Sequence, residues 1–247
     1  MSSSLFHTLN ISRQDILSRL LDLDVVSNNL ANMNTAGFKA SRSNFQELLN
    51  QRTLEGVTLA STQALMRQGA LRQSANPLDW AIQGEGFFQV RLPDGTTGYT
   101  RDGQFLLDSS RQLVTAAGYR LVWSGQIPDG TTDIYILPDG SVQATLQDGT
   151  RLIAGQVQLA RFVNPSGLIS QGHNVWLVSE ASGAAQVGTP GTANLGMIAA
   201  HAVEQSSVDL SSEMTRLMSL QRSFQMSVRT FQQTDTMIAQ ALNLRKG

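Results

Sequence analysis

The chain has 247 residues, no cysteine, 18 Lys plus Arg against 19 Asp plus Glu, and a formal net charge of −1. That length can bury a sizeable core as one large β domain or two modest domains, while the missing cysteine excludes disulfide frameworks, thiolate zinc sites and cysteine nucleophiles and leaves the compartment open. The near-balanced charge excludes a general electrostatic grip on nucleic acid or anionic lipid, and with only 15% charged residues the surface suits broad contact with other protein copies, because burying an amide or hydroxyl costs less than burying an ion.

Residues 5–34 form the first predicted helix. Leu9, Ile16, Leu23 and Leu30 recur every seven residues, supplemented by Leu20 and Val26, with Asn10, Arg13, Gln14, Asp15 and Arg19 on the other face. A heptad stripe of this kind buries a narrow seam against another helix. Gly37 signals the end. Asn28, Asn29, Asn32 and Asn34 crowd the last turns, although Asn is a mediocre helix former whose amide competes for backbone groups. Two readings fit: a frayed terminal turn with Asn and Gly as caps, or an amide cluster that hydrogen-bonds between helices or subunits and fixes their register.

Between Phe38 and Pro77 the pattern is mixed. Phe45, Leu48 and Leu49 suggest a short amphipathic turn or helix, and the rest reads as an extended polar connector packed beside the helices. From Trp80 the texture changes to short apolar runs, at 81–92, 104–107, 119–123, 134–137, 141–146, 152–163 and 174–178, each predicted as strand. Pro-Asp-Gly stands at 93–95, 128–130 and 138–140, and Asp-Gly again at 102–103 and 148–149. Pro presets φ early in a turn and Gly accepts positive φ later, so these are turns with a mechanism. A Gly, Ser and Thr-rich stretch, 182–196, closes the β region, and residues 201–208 extend toward the last helix.

That helix starts with Asp209 as N-cap and Glu213 in its first turn, where the helix dipole favours an acid; Arg245 and Lys246 match its other end. Leu210, Leu217, Phe224, Phe231 and Ile238 repeat the heptad, flanked by Met214, Val228 and Leu242. The expected fold class is therefore α+β: N- and C-terminal helices pairing as a coiled coil, with an all-β central domain of short antiparallel strands. The divisions are a core helix at 1–37, an extended connector at 38–78, the β domain at 79–197 and a second core helix at 198–247. Isolated heptad helices of this length are marginal in water, so both are expected to order on assembly.

Chemistry-bearing residues are few. His7, His173 and His201 have no ligand spacing among them. Gly84-Glu85-Gly86 lacks the third glycine and following helix of a dinucleotide loop, and reads as a bulge or a close strand approach. Glu85, Asp94, Asp102 and Asp108 are candidates for a carboxylate pair cleaving glycans, but their turn positions read as solvated. Phe87, Phe88 and Phe105 are expected in the β core on alternating faces, with the outward member of the first pair a candidate subunit contact. Trp80, Trp123 and Trp176 are expected as core. No catalytic residue, metal or cofactor is expected. No apolar stretch reaches the ~20 residues of a bilayer span, and the N-terminal residues lack a basic n-region, so any export is expected to bypass a cleaved signal.

The run Val26-Ser27-Asn28-Asn29-Leu30-Ala31-Asn32-Met33-Asn34-Thr35-Ala36-Gly37-Phe38-Lys39 closely resembles the N-terminal signature of bacterial flagellar rod and hook proteins. The resemblance continues through Gly84-Glu85-Gly86-Phe87-Phe88-Gln89-Val90, Tyr99-Thr100-Arg101-Asp102-Gly103-Gln104-Phe105, Gln112-Leu113-Val114-Thr115 and Gly118. It ends in the block 204–242, notably Leu220-Gln221-Arg222-Ser223-Phe224 and Thr234-Asp235-Thr236-Met237. The blocks occur in the family's order and span nearly the whole chain.

The resemblance implies a structural subunit of the bacterial flagellum basal body. Its partners would be copies of itself in a helical tube, other flagellar rod and hook proteins, and the flagellar type III export apparatus, with no nucleic acid and no small-molecule substrate. Paired terminal helices would line the tube and the β domain would face outward. A hook subunit fits less well, because hook subunits insert a further outer domain. Between the rod segments that carry a β domain, the strand at Phe87, the turn at 99–103 and the last helix favour one, and the short run from Leu49 to Gln68, which departs from its pattern, keeps the other as the runner-up.

Overall fold

The computed structural model describes residues 2–50 and 53–244, without the side chains of 2–10, 12, 45–50, 53–61 and 241–244. The chain divides into two compact units. One holds Met1–Ala31, Ser41–Leu65 and Asp209–Gly247, and the other Asn32–Ala40 and Met66–Val208.

The first unit contains two helices, α1 (Ser2–Ala31) and α2 (Leu210–Leu244), and an antiparallel hairpin of strands Ser41–Asn50 and Thr53–Ala64. The expected turn or helix at Phe45, Leu48 and Leu49 does not form, since all three lie in the first hairpin strand. A short run of apolar residues in a window this brief does not separate helix from strand, and cross-strand pairing over the whole run decides for strand. Asp209 caps α2 as its sequence position predicts: its Oδ1 accepts the Ser211 N–H at 3.0 Å and its carbonyl the Glu213 N–H at 2.9 Å.

The second unit is all antiparallel. Its largest sheet runs Ile169–Gly172, Val175–Leu177, Thr97–Thr100, Phe87–Arg91, Arg120–Leu121, Leu113–Thr115, Phe105–Leu107, with Leu159–Arg161 and Gln186–Gly188 joined beside Phe87–Arg91. A three-stranded sheet comprises Thr131–Ile136, Ser141–Leu146 and Arg151–Gln156. Two further ribbons pair Trp80–Gln83 with Met197–Ala200 and Leu71–Gln73 with Ala202–Glu204. The core gathers Trp80, Ile82, Phe88, Phe105, Leu113, Leu159 and Ile198, with the Phe105 ring 5.3 Å from both Trp80 and Phe88.

The single strand expected over 81–92 is two, because Gly84 and Gly86 take φ of 111° and 135° and turn the chain between them. Phe87 and Phe88 do point to opposite faces, but neither faces out. Phe88 enters the main core, while Phe87 meets the edge of Phe162 at 5.7 Å on the other side. The outward subunit contact expected of this pair is thus corrected: Phe162 covers the second face.

Candidate functional site

In the helical unit, polar side chains link the helices and the hairpin. Asn29 is fully buried. Its Oδ1 accepts the Ser41 N–H at 2.9 Å, and its Nδ2 donates to the Ser41 carbonyl at 2.9 Å and to Glu213 Oε1 at 3.2 Å. One amide therefore ties α1, the hairpin and α2, and uses one acceptor and both donors of its inventory. Asp22, also buried, accepts Arg216 Nη2 at 2.6 Å and the Ser43 hydroxyl. Further along, the Ser227 hydroxyl donates to Asp15.

Of the four clustered asparagines, Asn29 thus fulfils the bridging reading within one chain. Asn32 serves the turn instead, accepting the Thr35 hydroxyl at 3.2 Å and, through its carbonyl, the Thr35 N–H at 3.1 Å. Asn28 and Ala31 are exposed.

Around these links Ile16, Leu23 and Leu30 on α1 and Leu217, Phe224, Phe231 and Ile238 on α2 are half-buried. Val26 is buried; Leu20, Leu210 and Met214 are exposed. Leu9 and Leu242 lie in the helices, their side chains outside the described residues. The sequence reading set Asp15 on the face away from the stripe, yet its carboxylate accepts from Ser227 on α2, and it did not single out Asp22, Arg216 or Ser227, whose only sequence signal is a polar residue at helical spacing.

The β unit holds a second polar junction, in its interior. Glu204 is buried, and its Oε1 accepts Lys39 Nζ at 2.5 Å and the Gly69 N–H at 2.9 Å while its Oε2 accepts Arg101 Nη1 at 3.3 Å. Lys39 also donates to the Arg67 carbonyl at 2.8 Å, and Arg101 to the Gly84 carbonyl at 2.9 Å, its guanidinium lying over the Phe87 ring. Backbone bonds join the same segments: Gly37 N–H to the Glu204 carbonyl at 2.8 Å, and Ser207 N–H to the Phe38 carbonyl at 3.1 Å.

Two buried cations face one buried carboxylate. Burial pulls the Lys39 pKa down against the opposing pull of Glu204, and it lowers Arg101 likewise. Such a group is costly to assemble and more costly to break. Gly37 fits here because it adopts φ of 66° and because a Cβ would lie 2.5 Å from the Asp102 nitrogen.

Among the described residues, the remaining candidates form no catalytic arrangement; the side chain of His7 lies outside them. Asp94 accepts from the amide and hydroxyl of Thr96, and Asp108 from the amides of Ser110 and Gln112, so each carboxylate is engaged in shaping its own turn. Glu85 is exposed. Asp102 is not solvated as expected: burial pushes its carboxyl above the usual range. His173 and His201 each lie beside a tyrosine ring, Tyr119 and Tyr135. Among the described residues no group of three or more His, Asp or Glu side chains is placed to hold a metal, and no helix is long and apolar enough to cross a membrane.

Three family models match successive parts of the chain: a flagella basal body rod protein segment at 19–39, the D1 domain of flagellar hook protein FlgE/F/G at 81–144, and the C-terminal segment of flagellar basal body rod FlgEFG proteins at 199–244. Each contributes one member of the buried junction: Lys39, Arg101 and Glu204. Among relatives, the flagellar basal-body rod protein FlgG of Caulobacter vibrioides is 37% identical over 96% of this chain and 98% of its own length. FlgG of Buchnera aphidicola from Acyrthosiphon pisum is 36% identical over 94% and 96%. FlgF of Mesorhizobium japonicum is 30% identical over 95% and 94%.

Proposed function

This chain belongs to the bacterial flagellar basal-body rod and hook family, and on that premise we propose that it is the structural subunit of the distal rod, polymerising into a tubular drive shaft through its terminal helices. The observation that carries the assignment is the end-to-end match to FlgG rod proteins, 37% identical over 96% of the chain. The proximal rod is the second reading, favoured by the FlgF relative at 30% over 95%.

In this reading α1 and α2 pair as an antiparallel coiled coil. The links Asp15 to Ser227, Asp22 to Arg216 and Asn29 to Glu213 support it by falling in opposite order along the two helices. The interface residues are Leu9, Ile16, Leu23, Leu30, Leu210, Leu217, Phe224, Phe231 and Ile238. The helices line the tube, and the chain reaches the growing rod through the flagellar type III export apparatus. It performs no catalytic step and needs no cofactor.

The test is genetic and structural together. The gene should restore motility to a bacterium lacking FlgG and not to one lacking FlgF; the reverse result assigns the proximal segment. Phe224→Asp, which sets a charge in the half-buried seam, should give a soluble chain with an intact β unit that builds no rod. Normal rods from this variant would remove the seam from the assembly contact.

A further inference from the structure

We propose that the β unit carries a binding pocket for a small apolar monocarboxylate, with the guanidinium groups of Arg101 and Arg161 as the carboxylate's partners. The pocket has a volume of about 760 Å³ and lies between the turn at 84–86, the segment 161–165 and the turn at 192–196. All of its walls belong to one compact unit. Sites for small molecules run to roughly 300–1,000 Å³, mostly apolar with a few placed polar groups. The two turns that bound it are tied to each other, the Gly196 N–H donating to the Glu85 carbonyl at 2.7 Å.

Arg101 brings a hydrogen-bond donor that the fold does not use. Its Nη1 donates to Glu204 Oε2 and its Nη2 to the Gly84 carbonyl, but its Nε is buried without a partner. A buried donor left unmet is costly, and an acceptor seated against this wall removes the cost. Arg161 is half-buried, and its Nη1 makes only a long bond to the Ala193 carbonyl, at 3.4 Å. A planar guanidinium fork matches a planar carboxylate.

The charged lining residues are Arg101, Arg161 and Glu85. Glu85 is close enough to favour the Arg101 cation, and behind Arg101 the charges of Lys39 and Glu204 offset each other. One positive charge is left over, which a single carboxylate balances and a phosphate dianion exceeds. Met66, Phe162, Val163, Pro165 and Leu195 supply apolar lining, and Val163 is 75% exposed, so an apolar body on the ligand has a surface to cover.

The turn at 192–196 is held in a conformation its residues do not favour. Ala193 and Asn194 both take positive φ, 49° and 61°, and the Leu195 N–H closes the turn on the Thr192 carbonyl at 2.8 Å. Turns of this kind are dominated by Gly, Asn and Asp. Alanine in the left-handed region is strained, and such strain gathers where a ligand is clamped. Here it brings the Ala193 carbonyl to Arg161 and sets Asn194 in the pocket wall.

The experiment is isothermal titration calorimetry of the purified full-length chain with phenylacetate, one carboxylate on an aromatic body, beside phenylacetamide, acetate and inorganic phosphate. Phenylacetate should bind one to one and shift the Val163 methyl resonances, with the other three at least about tenfold weaker. Arg161→Gln should weaken phenylacetate by about tenfold or more, the loss of one charge-assisted hydrogen bond. Glu85→Gln should tighten it, because a like charge beside the ligand is gone. Both variants should keep the wild-type melt of tryptophan fluorescence, since neither side chain belongs to the core. Absence of phenylacetate binding overturns the proposal, as does binding that Arg161→Gln leaves unaltered or that Glu85→Gln weakens. Equal affinity for phenylacetamide or phosphate overturns the choice of a monocarboxylate, and equal affinity for acetate overturns the apolar body.

Discussion

Asn29 grips the backbone of Ser41 twice, accepting its N–H and donating to its carbonyl, both at 2.9 Å. A side-chain amide matched to both backbone groups of one residue sets register, since a slip of one residue along the hairpin strand would turn the Ser41 groups away and bring the other face round. The same amide reaches Glu213 on α2, so α1, hairpin and α2 share a single fixed point.

Asn29→Ala should therefore cost about 1–3 kcal/mol, the penalty for leaving half-buried polar groups without partners. Asn29→Asp should cost at least as much, because it keeps the acceptor for the Ser41 N–H, loses both donors and sets a carboxylate against Glu213. Urea unfolding gives the loss, and amide exchange at Ser41 locates it. Wild-type protection at Ser41 in the alanine variant would show that the amide is not the register point.

At the buried junction of the β unit, Glu204→Ala leaves Lys39 and Arg101 facing each other with no counter-charge. Removing one partner of a buried ion group costs about 3–5 kcal/mol. Glu204→Gln should fall between, since its carbonyl oxygen still accepts one donor. The check is the urea midpoint of tryptophan fluorescence, which follows this unit through the buried Trp80 and Trp176; equal midpoints for wild type and alanine variant would show that the charges are hydrated.

Two glycines with similar backbone geometry should respond differently. Gly37 and Gly95 have φ of 66° and 83°, and a Cβ at Gly95 meets nothing within 4 Å, whereas at Gly37 it would strike the backbone of Arg101 and Asp102. Gly95→Ala should cost only the roughly 1–2 kcal/mol of a left-handed non-glycine residue. Gly37→Ala should cost clearly more, since two backbone segments must separate. Thermal melts of the two variants side by side decide it.

The helices and most strands were legible in the sequence because their signals are local: heptad spacing, the Asp209 cap and Pro-Asp-Gly turns. The hairpin at 41–64 was not, because its strands carry few alternating apolar residues and owe their form to each other and to α1. The strand Met197–Ala200 was hidden for a related reason. It follows a Gly, Ser and Thr-rich stretch and exists through pairing with Trp80–Gln83, more than a hundred residues earlier. The junction of Lys39, Arg101 and Glu204 was equally out of reach as a site. All three stand within the runs that carry the family resemblance, but nothing in one sequence says that residues so far apart share one buried carboxylate. Side-chain polarity at seam positions, as at Asp22 and Arg216, reads from sequence as a flaw in the stripe. In the fold it is the link.

Asp102 gives a pH dependence whose sign is fixed by its surroundings. Its carboxyl is raised first by burial and further by the nearby Asp79 carboxylate, while the Gln104 N–H, bonded at 3.1 Å, pulls the other way. With the folded pKa above that of the unfolded chain, the native state holds more protons between the two values, so stability falls as pH rises through that window. The favourable contribution is complete below the unfolded pKa and is lost as pH passes the folded one. Asp102→Asn removes the titration yet keeps an oxygen to accept the Gln104 N–H. Its stability relative to wild type should therefore improve steadily as pH is raised through the carboxylate range, from about pH 3 toward 7, and then level off with the variant the more stable. Urea midpoints of both proteins across that range measure the difference. A variant that loses ground to wild type as pH rises would mean that the Asp102 charge is stabilised in the fold and that burial is not what governs it.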